Sequence, residues 1–522
     1  MAGPQGDAGV RQSGSSLVRG LGVTALVATA VCTVIGGGIN VLSVQVQTMT
    51  PGIGGLVPLA FALGAVPAFV TALCYAILAT AMPRAGGDYT YISRALHPFV
   101  GFLAGFSKWF GLSAACGLIG VMSVTLLQAA AEYLGAAGAA EFLRGNTGVL
   151  IIGLAMVWLF WLINILGVRT YGAVVIVLMV LMLAGGAVLV VYALTGSHET
   201  FATAWQARYG TDVEAAIAGT AVAPAGISGL IHATAFLFFA YIGFATISQA
   251  GGEAKDPGRT LPKAFVWSLI VISGYYMVFS FSLYKAVPWK FIYHLLHTPQ
   301  WQDTLSAPHV VGILMPPALT VVVALAAALA LANDIPPMLL AVSRLFFSWA
   351  QDGIFPPALA AVNRRFSTPH YALTISALVS SAVVLLCVYG PQRFGSAVDI
   401  VNVALLTTYC LAGVSVLSFP RRAPKLYLAS SFIRARWAQI MLGLLCILTI
   451  TPLLLTQIWV DLSASDWSLT DLVWRPTVWW VLIMLAGSLV FGVMWCRRRR
   501  QGWDLQALFE NLPDENEARP AP

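Results

Sequence analysis

Ile35-Gly36-Gly37-Gly38-Ile39-Asn40 interrupts the first long apolar stretch of the chain, about 21–46. A glycine in a helix interior costs roughly 0.8–1 kcal/mol relative to alanine, so three in a row do not favour a straight helix. In hydrocarbon, every loosened backbone N–H or C=O must also find a partner. The stretch reads as a membrane-crossing helix that is broken on purpose. Its freed amides and carbonyls then face a cavity where a solute can use them.

The composition agrees. Of 522 residues, 59% are hydrophobic and 9% charged, and the mean hydropathy is +0.83; ordinary soluble domains carry about 25% charged residues. The fold class is all-α integral membrane. Met1 to Arg19 is polar and Gly/Ser-rich, and the first apolar run is too long for a cleavable signal peptide. The net charge of +7 needs no nucleic acid, because the basic residues concentrate in loops. The seven cysteines lie in or at the ends of apolar segments, spaced neither as a disulfide framework nor as a metal site.

Runs of about 20 apolar residues suffice to cross a bilayer. Twelve are present: 21–46, 54–82, 98–134, 148–166, 170–195, 228–250, 261–287, 311–350, 370–390, 396–419, 437–457 and 476–496. The third and eighth exceed the bilayer's need and are expected to tilt or to run into helical loops. With the N-terminus cytoplasmic, 22 of the 28 Lys and Arg residues fall on one side and six, including Arg393 and Arg475, on the other. That asymmetry places both termini in the cytoplasm and the chain in the plasma (inner) membrane as a multi-pass protein. Lys108 is expected to snorkel from the cytoplasmic end of the third span. The 288–310 connection holds His294, His297 and His309. A solvated loop is the expectation there, with a His-x-x-His metal pair as the rarer reading.

An inverted repeat of spans 1–5 and 6–10 requires span 6 to repeat the defect of span 1. Span 6 reads Phe238-Phe239-Ala240-Tyr241-Ile242-Gly243-Phe244-Ala245-Thr246, with a glycine among aromatics at its middle. A lone glycine is usually a packing site; paired with the triple glycine it reads as a second break. Free N–H groups at a helix start hold an anion, and free carbonyls at a helix end hold a cation. Two opposed half-helices therefore suit a zwitterion better than a sugar or a lipid.

These stretches carry a family resemblance. Ile35-Gly36-Gly37-Gly38-Ile39, Met82-Pro83-Arg84-Ala85-Gly86-Gly87-Asp88-Tyr89-Thr90-Tyr91, Phe239 to Pro262, and Ser343-Arg344 followed by Asp352-Gly353-Ile354-Phe355-Pro356 occur in order. Together they resemble the amino acid–polyamine–organocation permeases, the bacterial amino acid permease family. The resemblance implies twelve transmembrane helices in a five-plus-five inverted-repeat, leucine-transporter-like fold with two peripheral C-terminal helices. The implied organisation is a cytoplasmic tail at 1–20, repeats at 21–195 and 228–419, spans 11 and 12 within 437–496, and a tail at 497–522. It implies alternating access around a site formed by spans 1, 3, 6 and 8. There the amides of Gly36, Gly37 and Gly38, flanked by Ile35, Ile39 and Asn40, would hold a carboxylate. The carbonyls of Phe239, Ala240 and Ile242 would face an amine, and Met338 would lie at the same level. Phe239 and Tyr241 fall where the family places aromatics near the substrate; Tyr241 and Phe244 equally suit plain packing. Arg84, Asp88 and Tyr89 would belong to a cytoplasmic gate.

Two departures matter. Many family members show Gly-Phe-Asp or Gly-Phe-Glu where this chain has Gly243-Phe244-Ala245, and many carry a mid-span lysine where span 5 has a position near Met182. Asp334, beside Asn333 and before Pro336-Pro337, is the carboxylate placed deep in an apolar span. Ionised groups there cost at least about 2.5–3.5 kcal/mol on insertion scales and are functional by default. Asp334 and Asn333 are thus candidates to meet a substrate amine, a proton or a sodium ion; a structural, hydrogen-bonded acid is the other reading. The double proline is expected to open the helix at that point.

The expected function is a secondary active permease for amino acids or related amines. The alternative is a solute-sensing or polyamine/organic-cation-binding membrane protein on the same scaffold. No catalytic constellation points to an enzyme, and no cofactor, metal or nucleic-acid partner is expected. The expected partners are a small amino acid or amine, a coupling proton or sodium ion, and the lipid bilayer.

Overall fold

The computed structural model describes residues 17–299, 301, 305–363, 365–389, 397–463, 467–468, 472, 475–502 and 512. Most of both tails, together with Arg11, Arg364, Arg393 and Arg519, lies outside the described residues. Among those described, 12 helices are long and apolar enough to cross a membrane. Spans 1 to 6 are Val23–Met49, Gly54–Ala81, Pro98–Glu132, Asn146–Ile165, Val168–Thr195 and Ile227–Gln249. Spans 7 to 12 are Pro257–Ala286, Pro317–Gln351, His370–Tyr389, Asp399–Arg422, Arg436–Ser463 and Pro476–Arg500. Each begins and ends within several residues of the run read from the sequence.

The spans are apolar around their whole circumference, as expected of helices that face lipid on one side and protein on the other. Burial sorts them. The most apolar stretch of span 1 is 82% buried, and those of spans 3, 8 and 10 are 67%; spans 4, 11 and 12 reach 28%, 28% and 22%. Span 1 is therefore the centre, and spans 11 and 12 lie at the periphery. Its first half packs on spans 5 and 7, while span 3 touches spans 4, 8, 9, 10 and 12. Outward-facing Leu59, Val66, Ile151, Val180, Leu448 and Leu489 are exposed and give the bundle an apolar belt.

The two long spans owe their length to different causes. Span 3 is one unbroken helix, Pro98–Tyr133. Span 8 is two helices, Pro317–Ala332 and Ile335–Gln351, separated at Asn333 and Asp334. The start of span 1 is clamped to the end of span 6: the Leu21 amide donates to the Glu253 carbonyl (2.9 Å), and the Lys255 amide to the Leu21 carbonyl (2.8 Å).

The 288–310 connection is not the solvated loop expected of it. Trp289–Leu296 is a helix that buries Phe291, Ile292, Leu295 and Leu296. The Phe291 ring packs 5.8 Å from Phe201 and 5.2 Å from Trp205, both from the helix His198–Tyr209 between spans 5 and 6. Apolar residues on one face of a short helix have to be covered, and the two connections cover each other. Among the described residues no group of three His, Cys, Asp or Glu is placed to hold a metal.

Candidate functional site: three interrupted spans

The first half of span 1, Val23–Val34, ends at Ile35, and a second helix starts at Gly37 and runs to Met49. Of the three glycines, only Gly36 lies in the break (φ −100°, ψ −141°); Gly37 and Gly38 form the first turn of the second half. That turn presents N–H groups with no acceptor inside the helix. Ile35 and Ile39 are buried. Asn40, half-buried, lines a narrow cleft with Met182, Tyr275 and Ala330.

Span 6 breaks in three steps. The helix Ile227–Phe238 tightens into a 3₁₀ turn at Phe239–Tyr241, the chain extends at Ile242 (ψ 131°), and a short helix resumes at Thr246–Gln249. Gly243 carries the reversal at φ +125°, and a Cβ there would sit 3.0 Å from the Thr33 carbonyl oxygen. Only glycine fits both demands. The two breaks therefore touch, and the Thr33 and Thr246 hydroxyls lie 3.2 Å apart across them.

Hydroxyls from spans 7 and 10 hold the loosened backbone. The Tyr276 hydroxyl lies 2.8 Å from the carbonyl oxygens of both Val34 and Ala240, and the Gly243 amide donates to the Tyr409 hydroxyl at 3.0 Å. Tyr276 has one proton for two carbonyls, and each carbonyl oxygen has two lone pairs, so acceptor capacity is left over. The Phe239 carbonyl takes the Ile242 amide at 3.1 Å and likewise keeps a lone pair. Tyr276 and Tyr409 escaped the reading of the sequence. Their one signal was a tyrosine in the middle of an apolar span, a hydroxyl that needs a partner.

Tyr241 turns away from the break. Fully buried, it donates to the Phe61 carbonyl in span 2 (2.9 Å), so it packs and anchors. Phe239 is the half-buried aromatic at the break, while Phe244 stacks into Tyr75 and Tyr409.

Span 8 contributes Asp334, which is 7% exposed. Its carboxylate lies so close to Gly36 that a Cβ on Gly36 would overlap it. Oδ1 has no hydrogen-bond partner. Asn333 is fully buried, donates Nδ2 to the Met182 sulfur at 3.3 Å and leaves its own Oδ1 unpartnered. Met182, at the position where family resemblance suggested a lysine, thus meets the residue beside Asp334. The opening falls two residues before the double proline and not at it. Pro336 and Pro337 occupy the first turn of the second half, where a missing N–H costs nothing. They still deny the Ala332 and Asn333 carbonyls their usual helical donors. Met338, buried, lies one turn beyond; its amide reaches the Asp334 carbonyl at 3.3 Å.

A second cluster lies toward the end of the bundle to which the sequence pattern assigns most of the basic residues. Asp88 pairs with Lys108 and accepts from Gln249 (3.0 Å). Lys108 is fully buried, so it does not snorkel. Arg344 grips Glu253 through two nitrogens (3.1 and 2.5 Å), and Arg94 grips Asp352 likewise (2.6 and 2.7 Å). Tyr89 donates to Asp352 at 2.5 Å. Arg84 is half-buried, and a Cβ on Gly251 of the segment after span 6 would lie 2.9 Å from its carbonyl oxygen. Spans 3, 6 and 8 and the Asp88–Ala95 helix are thus tied together by buried charge.

Comparison with known proteins fits this geometry. The amino acid permease family model matches residues 21–489. The chain is 27% identical to the branched-chain amino acid permease BcaP of Bacillus subtilis (strain 168), over 52% of this chain and 56% of that one. It is 27% identical to the cationic amino acid transporter 4 of Mus musculus, over 53% and 42%. With the serine/threonine exchanger SteT of Bacillus subtilis (strain 168) the figures are 25%, 52% and 55%. The chain thus spans about half the length of the curated relatives it matches. A family match over nearly all the apolar core, on a twelve-span helical bundle with interrupted spans at its centre, means that this multi-pass membrane protein belongs to the amino acid permease family.

Proposed function

We propose that the chain is a secondary active transporter that moves amino acids or related amines across the plasma membrane by alternating access. One observation carries the reading: spans 1, 6 and 8 are all interrupted, and their interruptions meet, Thr33 against Gly243 and Gly36 against Asp334. Broken helices at bilayer depth are tolerated where they line a site or are buried in protein. In this reading spans 1–5 (21–195) and 6–10 (228–419) are inverted repeats, both termini are cytoplasmic, and the ion pairs around Asp88, Glu253 and Asp352 form the cytoplasmic gate. The amides of Gly36 to Gly38 and the spare lone pairs of Phe239 and Ala240 supply polar contacts. Asp334, with Asn333, is the coupling group that meets the amine, a proton or a sodium ion. The test is uptake of labelled amino acids and amines into proteoliposomes. Wild type should accumulate at least one solute, and Asp334→Asn should lose most of that uptake. Absence of uptake across the whole panel would contradict the reading.

A further inference from the structure

The site just described already contains a carboxyl group of its own. The Asp334 carboxylate, 7% exposed, lies against Gly36, at the start of the 13-residue half-helix Gly37–Met49. A helix start of that kind, with free N–H groups and the positive end of the dipole, attracts negative charge. Asp334 Oδ1 has no partner, and no described lysine or arginine forms an ion pair with Asp334 among the buried pairs of the bundle. The titratable groups that face it are Cys32 from span 1, Cys116 from span 3 and Tyr276 from span 7. None of them is a cation. Acceptors without donors lie next to it in the chain: Asn333 Oδ1 is buried without a partner, and the prolines withhold donors from the Ala332 and Asn333 carbonyls.

A second carboxylate on the amides of Gly36 to Gly38 would share this small space with Asp334. Two carboxylates in one site do not both stay ionised cheaply. A primary ammonium offers three donors and a positive charge to Asp334 and these unpartnered acceptors. Resting on the transporter reading, we infer that Asp334 takes the place of the substrate's own α-carboxylate, and that the solute this site selects is a primary amine without one. The cleft beside Gly36 is lined by Asn40, Met182, Gly186, Tyr275 and Ala330, so the body of such an amine would meet a mostly apolar wall there. Gly186 faces it where a side chain would collide with Tyr275.

Matched pairs test the inference: leucine with isopentylamine, and phenylalanine with phenethylamine. The purified full-length protein is melted with each in potassium buffer, with sodium chloride alone as a separate arm. A ligand that binds the folded state raises the melting temperature by mass action. In wild type each amine should raise it at lower concentration than its parent amino acid, with an affinity difference of about tenfold or more. Asp334→Asn should lose the amine response while keeping or gaining the response to the amino acid. Equal or stronger stabilisation of wild type by the amino acids would overturn the inference and leave the transporter reading standing. A shift from sodium alone, to which amines add nothing, would also overturn it and assign Asp334 to the metal ion. No response to any amine, amino acid or sodium would count against both. The comparison within wild type does not depend on the variant folding.

Discussion

Gly243 has no room for a side chain and no freedom to host one. Its φ of +125° and the 3.0 Å approach of the Thr33 carbonyl act together. Gly243→Ala should lower stability by about 1–2 kcal/mol from backbone strain alone, read as a lower melting temperature, and should depress uptake. Gly274 in span 7 is the control. A Cβ there meets nothing within 4 Å, so Gly274→Ala should leave both unchanged or raise stability slightly. The two key glycines could be read from the sequence because glycine in an apolar helix is a local anomaly. The hydroxyls that complete the site could not. Tyr276 serves carbonyls 242 and 36 residues away in sequence, and nothing near it in the chain announces that. Lys108 misled for the same reason: its partner Asp88 lies on another helix and was read as part of a gate.

At the level of elements, the interruptions need outside support. Tyr276 bridges the end of the first half of span 1 to the 3₁₀ turn of span 6. Tyr276→Phe keeps the ring packing against Tyr241 and Phe61 and removes the one shared donor. Leaving buried carbonyls unserved costs roughly 1–3 kcal/mol, so the variant should melt lower, and uptake should fall further than stability explains. The limits of the spans followed from apolar run length and charge, which act over a few residues. The position of each break was harder. The triple glycine marked the break in span 1 without its limits, and two of its glycines start the next helix. The double proline in span 8 marks a helix start and not the opening itself. The His294 segment was taken for a loop because its cover, Phe201 and Trp205, comes from a different connection.

Across the whole molecule, buried ion pairs tie one end of the bundle together, and the proposed alternating access would require them to part. Arg344 and Glu253 are 3% and 1% exposed. Removing one partner of such a pair strands the other charge, at a cost of about 3–5 kcal/mol. Glu253→Gln should therefore destabilise the fold by that order, and a double-mutant cycle with Arg344→Met should recover part of the loss. Full additivity of the two single losses would contradict a direct coupling between Arg344 and Glu253. The broken spans meet at Gly36, and a nearby glycine, Gly38, separates that contact from a general intolerance of substitution. A Cβ on Gly36 would overlap the Asp334 carboxylate, whereas one on Gly38 meets only Leu42, at 3.7 Å. The decisive measurement is proteoliposome uptake by wild type, Gly36→Ala and Gly38→Ala, each confirmed as folded by its elution profile. The prediction is near-normal uptake by the Gly38 variant and a loss of at least about tenfold, some 1.4 kcal/mol, by the Gly36 variant. Equal uptake by the two variants would contradict it.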